Sequence, residues 1–123
     1  MDKKTVFLVE DSTATREALK QLLADFYGYE VVACVDGANA IALLGAKKPH
    51  IDAAILDIMM RGHGGAVRDY LRSLPEYRGV HIIYHTSLSK EQVDNRLLEG
   101  AHFVEKGKDS IPEIGKLLRR LLG

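Results

Sequence analysis

The chain has 123 residues, which is enough for one domain with a buried core and too few for two. Its 17 basic residues balance 17 acidic ones, so charge alone indicates neither a nucleic-acid partner nor an anionic membrane. The single cysteine, Cys34, excludes a disulfide within the chain and is expected to be a buried thiol. No apolar stretch approaches the roughly eighteen residues of a membrane span, so we expect a soluble, cytoplasmic protein.

Five short apolar runs alternate with longer amphipathic segments along the chain. Most of the runs are rich in β-branched residues, which is typical of strands buried on both faces of a sheet. The runs are TVFLVE (5–10), YEVVACV (29–35), IDAAILD (51–57), VHIIYHT (80–86) and AHFVEK (101–106). This alternation predicts an α/β fold of the (βα)5 type, with a parallel sheet, right-handed crossovers and helices on both faces.

The amphipathic segments predict helices whose apolar stripes face the core. In the first helix the stripe comprises Ala18, Leu19, Leu22, Leu23 and Phe26. In the last helix the stripe comprises Ile111, Ile114, Leu117, Leu118 and Leu121. Both stripes are expected to be core rather than part of a ligand site.

Local signals predict where the helices begin and end. Residues 89–92 (SKEQ) and 110–113 (SIPE) have the pattern of capping boxes, and Asp36 is placed to cap the second helix. Gly28 and Gly100 are expected to end the first and fourth helices, because glycine adopts the left-handed conformation that other residues disfavour.

Chemically reactive side chains follow four of the five apolar runs. They are Glu10 and Asp11 after the first run, Asp57 after the third, Thr86 and Ser87 after the fourth, and Lys106 after the fifth. Ligands of open parallel sheets bind beyond the carboxyl ends of the strands, so these groups are expected to meet at one edge. Three clustered acids call for a cation, and carboxylate oxygens together with water and phosphate suit Mg²⁺.

Each of these positions is ordinary when it is taken alone. An acid pair or a Thr–Ser pair after a strand is usually a loop or a helix cap, and a lone lysine is usually a solvated charge. Their coincidence at the ends of strands one, three, four and five favours a single functional site.

On these residues the sequence resembles the receiver domains of two-component response regulators, including the single-domain chemotaxis type. The resemblance covers the whole chain, which is expected to be one receiver domain over residues 1–123. It rests on VFLVED (6–11), AILDIMM (54–60), Gly65, HTS (85–87) and FVEK (103–106). It implies a flavodoxin-like, doubly wound five-stranded sheet with strand order 2-1-3-4-5. It also implies a signalling domain rather than an enzyme, one that catalyses only its own phosphorylation and dephosphorylation.

The resemblance implies a magnesium-dependent phosphoacceptor site in a phosphorelay. Asp57 would take a phosphoryl group from the phosphohistidine of a histidine kinase or a histidine phosphotransfer protein, forming an aspartyl phosphate. Asp57, Glu10 and Asp11 would hold Mg²⁺ together with the backbone carbonyl of Met59, with Glu10 acting through water.

The remaining roles concern binding of the phosphoryl group and its readout. Thr86 and Lys106 would contact the phosphoryl oxygens. Ser87 is expected to belong to the phosphate-binding site as well, where its small side chain would leave the approach to phosphorus open. Movement of Thr86 would allow Phe103 to change rotamer and would reshape the face made by the fourth helix, the fifth strand and the fifth helix.

That face is expected to bind an unidentified downstream effector, an output domain or a second copy of the chain. Four basic side chains make part of it cationic, namely Lys90, Lys116, Arg119 and Arg120. No direct contact with nucleic acid or a membrane is expected.

Two positions depart from the pattern of the family. The family usually has proline after the lysine, where this chain has Gly107, and proline four residues after the phosphoacceptor, where it has Arg61. Neither change removes a reacting group, but both loosen a loop that holds the site. His63 is expected in a surface loop, and His85 is expected as a ring packed in the sheet.

Three other classes of function are alternatives to a phosphorylated receiver domain. A flavin-binding module of the same fold would cradle phosphate on residues 12–15, but Glu10 and Asp11 would repel it and the glycines are absent. A haloacid-dehalogenase-type phosphatase needs a second aspartate where this chain has Met59. The main rival is a pseudo-receiver, a phosphorylation-independent interaction module, and the complete set of reactive residues argues against it.

Overall fold

The computed structural model describes residues 3–58 and 64–123 and forms one five-stranded parallel sheet. The strands are β1 (Thr5–Val9), β2 (Glu30–Cys34), β3 (Ala53–Leu56), β4 (His81–Thr86) and β5 (Ala101–Glu105). Their order across the sheet is β2-β1-β3-β4-β5, and every neighbouring pair is parallel. The predicted (βα)5 fold and strand order are therefore confirmed.

In the part of the chain that the structure describes, five α-helices connect and follow the strands. They are α1 (Thr13–Gln21), α2 (Gly37–Lys47), α3 (Gly64–Ser73), α4 (Asn95–Leu98) and α5 (Ser110–Leu122). A π-helical turn at Leu22–Phe26 continues α1, and 3-10 turns lie at Pro75–Tyr77 and Lys90–Gln92. Within the described ranges, no helix combines the length and the apolar character that crossing a membrane requires.

Alternation along the strands divides the core into two layers. Val6 and Leu8 of β1 pack with buried residues of α1 and α5, whereas Phe7 and Val9 pack with buried residues of α2, α3 and α4. Successive side chains of a strand point to opposite faces, so a strand covered on both sides must be apolar throughout. All five residues of β1 are accordingly buried. The two layers hold the ends of the strands in fixed positions.

Several of the predicted helix boundaries are confirmed. Asp36 Oδ1 accepts a hydrogen bond from the Asn39 N–H at 2.8 Å and caps α2. Gly28 and Gly100 have φ of +73° and +68°, as expected for glycines that follow helix ends.

The predicted capping box at residues 110–113 is wrong. Ser110 is itself the first residue of α5, and its side chain turns inward instead of capping the helix. The Ser89–Gln92 pair does form, with Gln92 Oε1 accepting from the Ser89 N–H at 2.9 Å, but it opens a single 3-10 turn. The helix α4 begins later, after Asp94, whose Oδ1 accepts from the Arg96 N–H.

The predicted stripe of the first helix is correct only in part. Leu19 and Leu23 are fully buried, but Ala18 is exposed and Phe26 is 70% exposed. The π-helical turn explains the difference, because it adds a residue to the turn: the Tyr27 N–H donates to the Leu22 carbonyl oxygen, five residues earlier. Tyr27 therefore packs against the core in place of Phe26.

The stripe of the last helix is confirmed. Ile114, Leu117 and Leu118 are buried, and Ile111 and Leu121 are half-buried against the same layer. The buried position of Cys34 is confirmed as well, and burial raises the pKa of its thiol.

The positive φ of Gly28 predicts a specific cost of adding a side chain. A Cβ at Gly28 meets nothing within 4 Å, so Gly28→Ala should destabilise the protein only through backbone strain, by roughly 1–2 kcal/mol. Gly79→Ala is the matched control, because Gly79 is equally open but lies outside the left-handed region. Urea unfolding followed by circular dichroism should show a loss for Gly28→Ala and none for Gly79→Ala. Equal stabilities would contradict the strain.

Candidate functional site

The reactive side chains predicted at the strand ends meet at one edge of the sheet. Lys106, directly after β5, places its Nζ 2.7 Å from Asp57 Oδ2 and 3.0 Å from Glu10 Oε1. Asp57 follows β3, and Glu10 follows the neighbouring strand β1. Parallel strands present all their carboxyl ends to the same edge, which is why residues 96 positions apart come into contact.

Three carboxylates form an acidic cluster at this edge. One oxygen each of Glu10, Asp11 and Asp57 lies within 4.8 Å of the others. Glu10 is 1% exposed and Asp57 is 4% exposed, whereas Asp11 is open to solvent. Several carboxylate oxygens converging on one point, with one side open to water, fit the coordination preferences of Mg²⁺.

The charge state of the cluster depends on Lys106. Burial raises the pKa of Glu10, and hydrogen bonds from the Ser12 N–H and from Lys106 oppose that rise. Burial alone would lower the pKa of Lys106, but its hydrogen bonds to Asp57 and Glu10 outweigh burial and raise its pKa. The site therefore holds a protonated ammonium group against the side chains of two buried acids.

Thr86 is the last residue of β4 and Ser87 follows it, so both lie at the same edge of the sheet. Thr86 is fully buried, and its Oγ1 accepts a hydrogen bond from the Leu88 N–H at 3.3 Å. Its carbonyl oxygen accepts from the Lys106 N–H at 2.7 Å. This contact fixes the start of the loop between β5 and α5 (residues 106–109), which we call the lysine loop. Ser87 is exposed, so its small side chain lies on the open side of the site.

Phe103 lies on the same face of the sheet as Thr86. It pairs in register with Tyr84, two residues before Thr86, and packs half-buried against the layer that contains α4. Residues two apart on a strand share a face, so Phe103 and Thr86 are diagonal neighbours across β4 and β5. The structure thus places the two predicted switch residues on the same face of the sheet, on neighbouring strands.

Three residues discussed from the sequence lie outside the described ranges. They are Met59, the predicted carbonyl ligand of Mg²⁺, together with Arg61 and His63. The peptide bond between Lys106 and Gly107 is trans, and no cis peptide bond occurs in residues 3–58 or 64–123.

A buried pair of His85 and Ser110 supports the lysine loop, a contact that the sequence pattern did not predict. His85 Nε2 lies 2.9 Å from Ser110 Oγ, which also accepts from the Gly107 N–H at 3.2 Å. The same hydroxyl donates to the Gly107 carbonyl oxygen at 2.9 Å. Ser110 thereby ties the residue after Lys106 to the sheet. The spacing of Gly107 and Ser110, three residues apart before a helix, is the local signal that could have indicated this loop.

The sheet-packed position expected for His85 is confirmed, since the ring is 1% exposed. Burial, followed by the nearby charge of Lys106, lowers the pKa of His85 to about 4. Its Nδ1 is buried and has no hydrogen-bond partner within the described residues. The imidazole is therefore neutral at physiological pH and acts as part of the packed sheet rather than as a charge.

Comparison with known proteins identifies the family. The family model described as the response regulator receiver domain matches residues 6–109. The chain belongs to this family. The matched residues run from the second residue of β1 to the residue before α5, and they include every reactive residue of the site. No curated protein matches the chain.

Solved structures of receiver domains share the whole fold. The chemotaxis protein CheY4 of Vibrio cholerae is 26% identical with a TM-score of 0.82, covering 98% of this chain and 100% of its own. The response regulator TrrA of Thermotoga maritima, solved in complex with Mg²⁺ and BeF, is 26% identical with a TM-score of 0.79, covering 97% and 99%. The signal receiver domain of a histidine kinase from Syntrophus aciditrophicus is 30% identical with a TM-score of 0.80, covering 97% and 89%.

The lowered pKa of His85 predicts how the stability of this receiver domain depends on pH. Between about pH 6.5 and about 4 the unfolded chain binds a proton at His85 that the folded chain does not bind. The free energy of unfolding should therefore fall with falling pH, by roughly 1.4 kcal/mol per pH unit from this residue. In Mg²⁺-free urea titrations, the free energy of unfolding of the native protein minus that of His85→Gln should decrease as the pH falls from 7 to about 4.5. A constant difference would show that His85 does not stay neutral.

Proposed function

We propose that this receiver domain accepts a phosphoryl group on Asp57 from a phosphohistidine of a histidine kinase or a histidine phosphotransfer protein. The observation that supports this proposal best is the contact of Lys106 with both Asp57 and Glu10 at the edge of the sheet formed by the carboxyl ends of the strands. A lysine whose only role was to keep a loop soluble would extend into solvent rather than contact two buried acids. The proposal treats residues 1–123 as one receiver domain that acts in the cytoplasm.

The transfer step is an in-line displacement at phosphorus. A carboxylate oxygen of Asp57 forms the new O–P bond while the P–N bond to the donor histidine breaks, and the imidazole leaves with the bonding electron pair. The ammonium group of Lys106 offsets negative charge on the equatorial oxygens. Thr86, whose Oγ1 accepts from the Leu88 N–H, donates its hydroxyl proton in a hydrogen bond to one of them.

The acidic cluster fits the metal that this chemistry uses. Glu10, Asp11 and Asp57 would hold Mg²⁺, with the carbonyl of Met59 as the expected backbone ligand. When bound, Mg²⁺ supplies positive charge close to the phosphoryl oxygens. TrrA, which has the same fold and was solved with Mg²⁺ and BeF, supports carrying this assignment over to the present chain.

The readout follows from the position of Thr86 beside Phe103. If Thr86 moves toward the phosphoryl group, it vacates volume that the half-buried Phe103 can occupy. Two packings of one aromatic side chain give a two-state element, and phosphorylation biases it. The surface that changes comprises α4, β5 and α5, which we propose as the contact for a downstream effector or an output domain.

Phosphorylation should occur at one residue and should require Mg²⁺. Incubation with acetyl phosphate and Mg²⁺ should add one phosphoryl group by intact-mass spectrometry, and Asp57→Asn should abolish the adduct. Lys106→Ala should slow the reaction by on the order of 100-fold, because it removes the charge that stabilises the developing oxyanions. Chelation of Mg²⁺ should have an effect at least as large.

Asp25→Asn is the control for loss of an ordinary exposed aspartate, and it should be phosphorylated like the native chain. A folded native protein that forms no adduct with small donors or with a phosphorylated histidine kinase would contradict the proposal. That outcome would support the pseudo-receiver alternative, in which the fold binds partners without phosphorylation.

The proposed relay through Thr86 predicts a selective loss in one variant. With beryllofluoride and Mg²⁺, amide NMR shifts should appear at the site and also across residues 95–98, 101–105 and 110–122. In Thr86→Ala the shifts at the site should persist while the distant ones largely disappear, because the hydroxyl that links them is gone. Ser73→Ala, which removes an exposed hydroxyl at the end of α3, should behave like the native protein. Distant shifts that survive in Thr86→Ala would contradict the relay.

A further inference from the structure

Phe26 is the most exposed of the large apolar residues that the structure describes. Two large apolar residues are exposed in the described part of the chain, Phe26 at 70% and Val35 at 47%. Phe26 ends the π-helical turn after α1, and its ring meets the Tyr27 ring edge-on with centroids 4.9 Å apart. The turn therefore projects Phe26 outward as a knob.

A groove of about 640 Å³ lies beside this knob, between the end of α1 and α5. Its apolar walls come from Phe26, Tyr27 and Leu117. The Tyr27 ring is fixed from two sides, by stacking on Tyr29 at 5.9 Å and by the Arg119 guanidinium 5.0 Å above it. Anchoring of this kind makes the groove a preformed hole rather than a transient gap.

Gly115 of α5 is required for this arrangement. A Cβ at Gly115 would lie 2.5 Å from Tyr27 Cε2, so a side chain there would push the Tyr27 ring out of its place. The close approach of α5 to Tyr27 thus shapes the floor of the groove.

The charges around the knob and the groove have opposite signs. Lys116, Arg119 and Arg120 line the groove and outnumber its single acid, Glu113. The knob carries the exposed carboxylate of Asp25, and the depression on its other side is lined by the uncharged Ala18, Gln21 and Leu22 together with Asp25 and Phe26. An apolar knob with a carboxylate is complementary in shape and charge to an apolar hole with a cationic rim. Both lie on one face of the same chain.

We propose that this face binds a second copy of the chain in a two-fold symmetric dimer. Each Phe26 enters the groove of the other copy, and each Asp25 meets the basic rim there. A two-fold contact uses the same patch on both copies, which is what a knob beside a matching hole provides. The patch is small, so the dimer should be weak and should form with rising concentration.

The proposed dimer leaves uncovered the edge of the sheet at which Asp57 lies. Helix α1 begins directly after β1 at the site and ends before β2 begins, so Phe26 lies at the opposite edge of the sheet. The proposed contact therefore forms in the unphosphorylated chain and uses no side chain of the acidic cluster.

Sedimentation equilibrium of the full chain, without phosphodonor or Mg²⁺, tests this dimer. From micromolar to millimolar concentration, the average mass should rise from 13.6 kDa toward twice that value. Phe26→Ser should weaken association about tenfold or more, as loss of an aromatic anchor does. Asp25→Lys and high salt should also weaken it, because both remove the charge pairing.

Val35→Ser is the matched control, because Val35 is the other exposed large apolar residue and follows β2 at the edge of the site. It should leave association unchanged. Circular dichroism should show that Phe26→Ser is folded, as expected for an exposed position. A chain that stays monomeric at all concentrations overturns the proposal. A dimer that Phe26→Ser does not weaken, or that Val35→Ser weakens equally, overturns it as well.

Discussion

The arrangement of the site depends on one lysine placed between two buried carboxylates. Glu10 and Asp57 are held almost out of contact with water, where uncompensated negative charge is costly. Lys106 Nζ lies within 3.0 Å of both acids, and its protonated form is favoured by them in turn. Without this cation the two buried acids would face each other with no compensating positive charge. A phosphoacceptor needs an ionised carboxylate, so the lysine preserves the chemical state on which the proposed function relies.

The strand order explains why a lysine is needed for this contact. β1 and β3 are neighbours, so Glu10 and Asp57 come together directly, whereas β5 is separated from β3 by β4. Adjacent strands lie about 4.8 Å apart, so a group at the end of β5 must reach across roughly 10 Å to touch Asp57. A long, flexible side chain with a terminal charge can do this. The Ser110 hydroxyl and the Thr86 carbonyl hold the loop from which Lys106 extends.

The sequence predicted the sheet and the meeting of the strand ends because both follow from patterns that repeat along the chain. The position of Phe26 could not be predicted, since the same apolar spacing fits an α-helix and a helix that changes to a π-helical turn. The inward turn of Ser110 was also missed. Its local pattern indicates a helix cap, but tertiary contacts with His85 and Gly107 take the hydroxyl instead. These failures lie where long-range packing outweighs local preference.

The two helices that form the groove are also the two that are anchored directly at the site. α1 starts from Ser12, whose N–H binds Glu10, and α5 starts with Ser110, which binds Gly107 beside Lys106. Both helices then run to the opposite edge, where Phe26 and Arg119 lie. Because Ser110 belongs to both α5 and the lysine loop, a displacement of Lys106 must either break the Ser110 contact or carry the start of α5 with it. The first turn of α5 is therefore coupled directly to the position of Lys106.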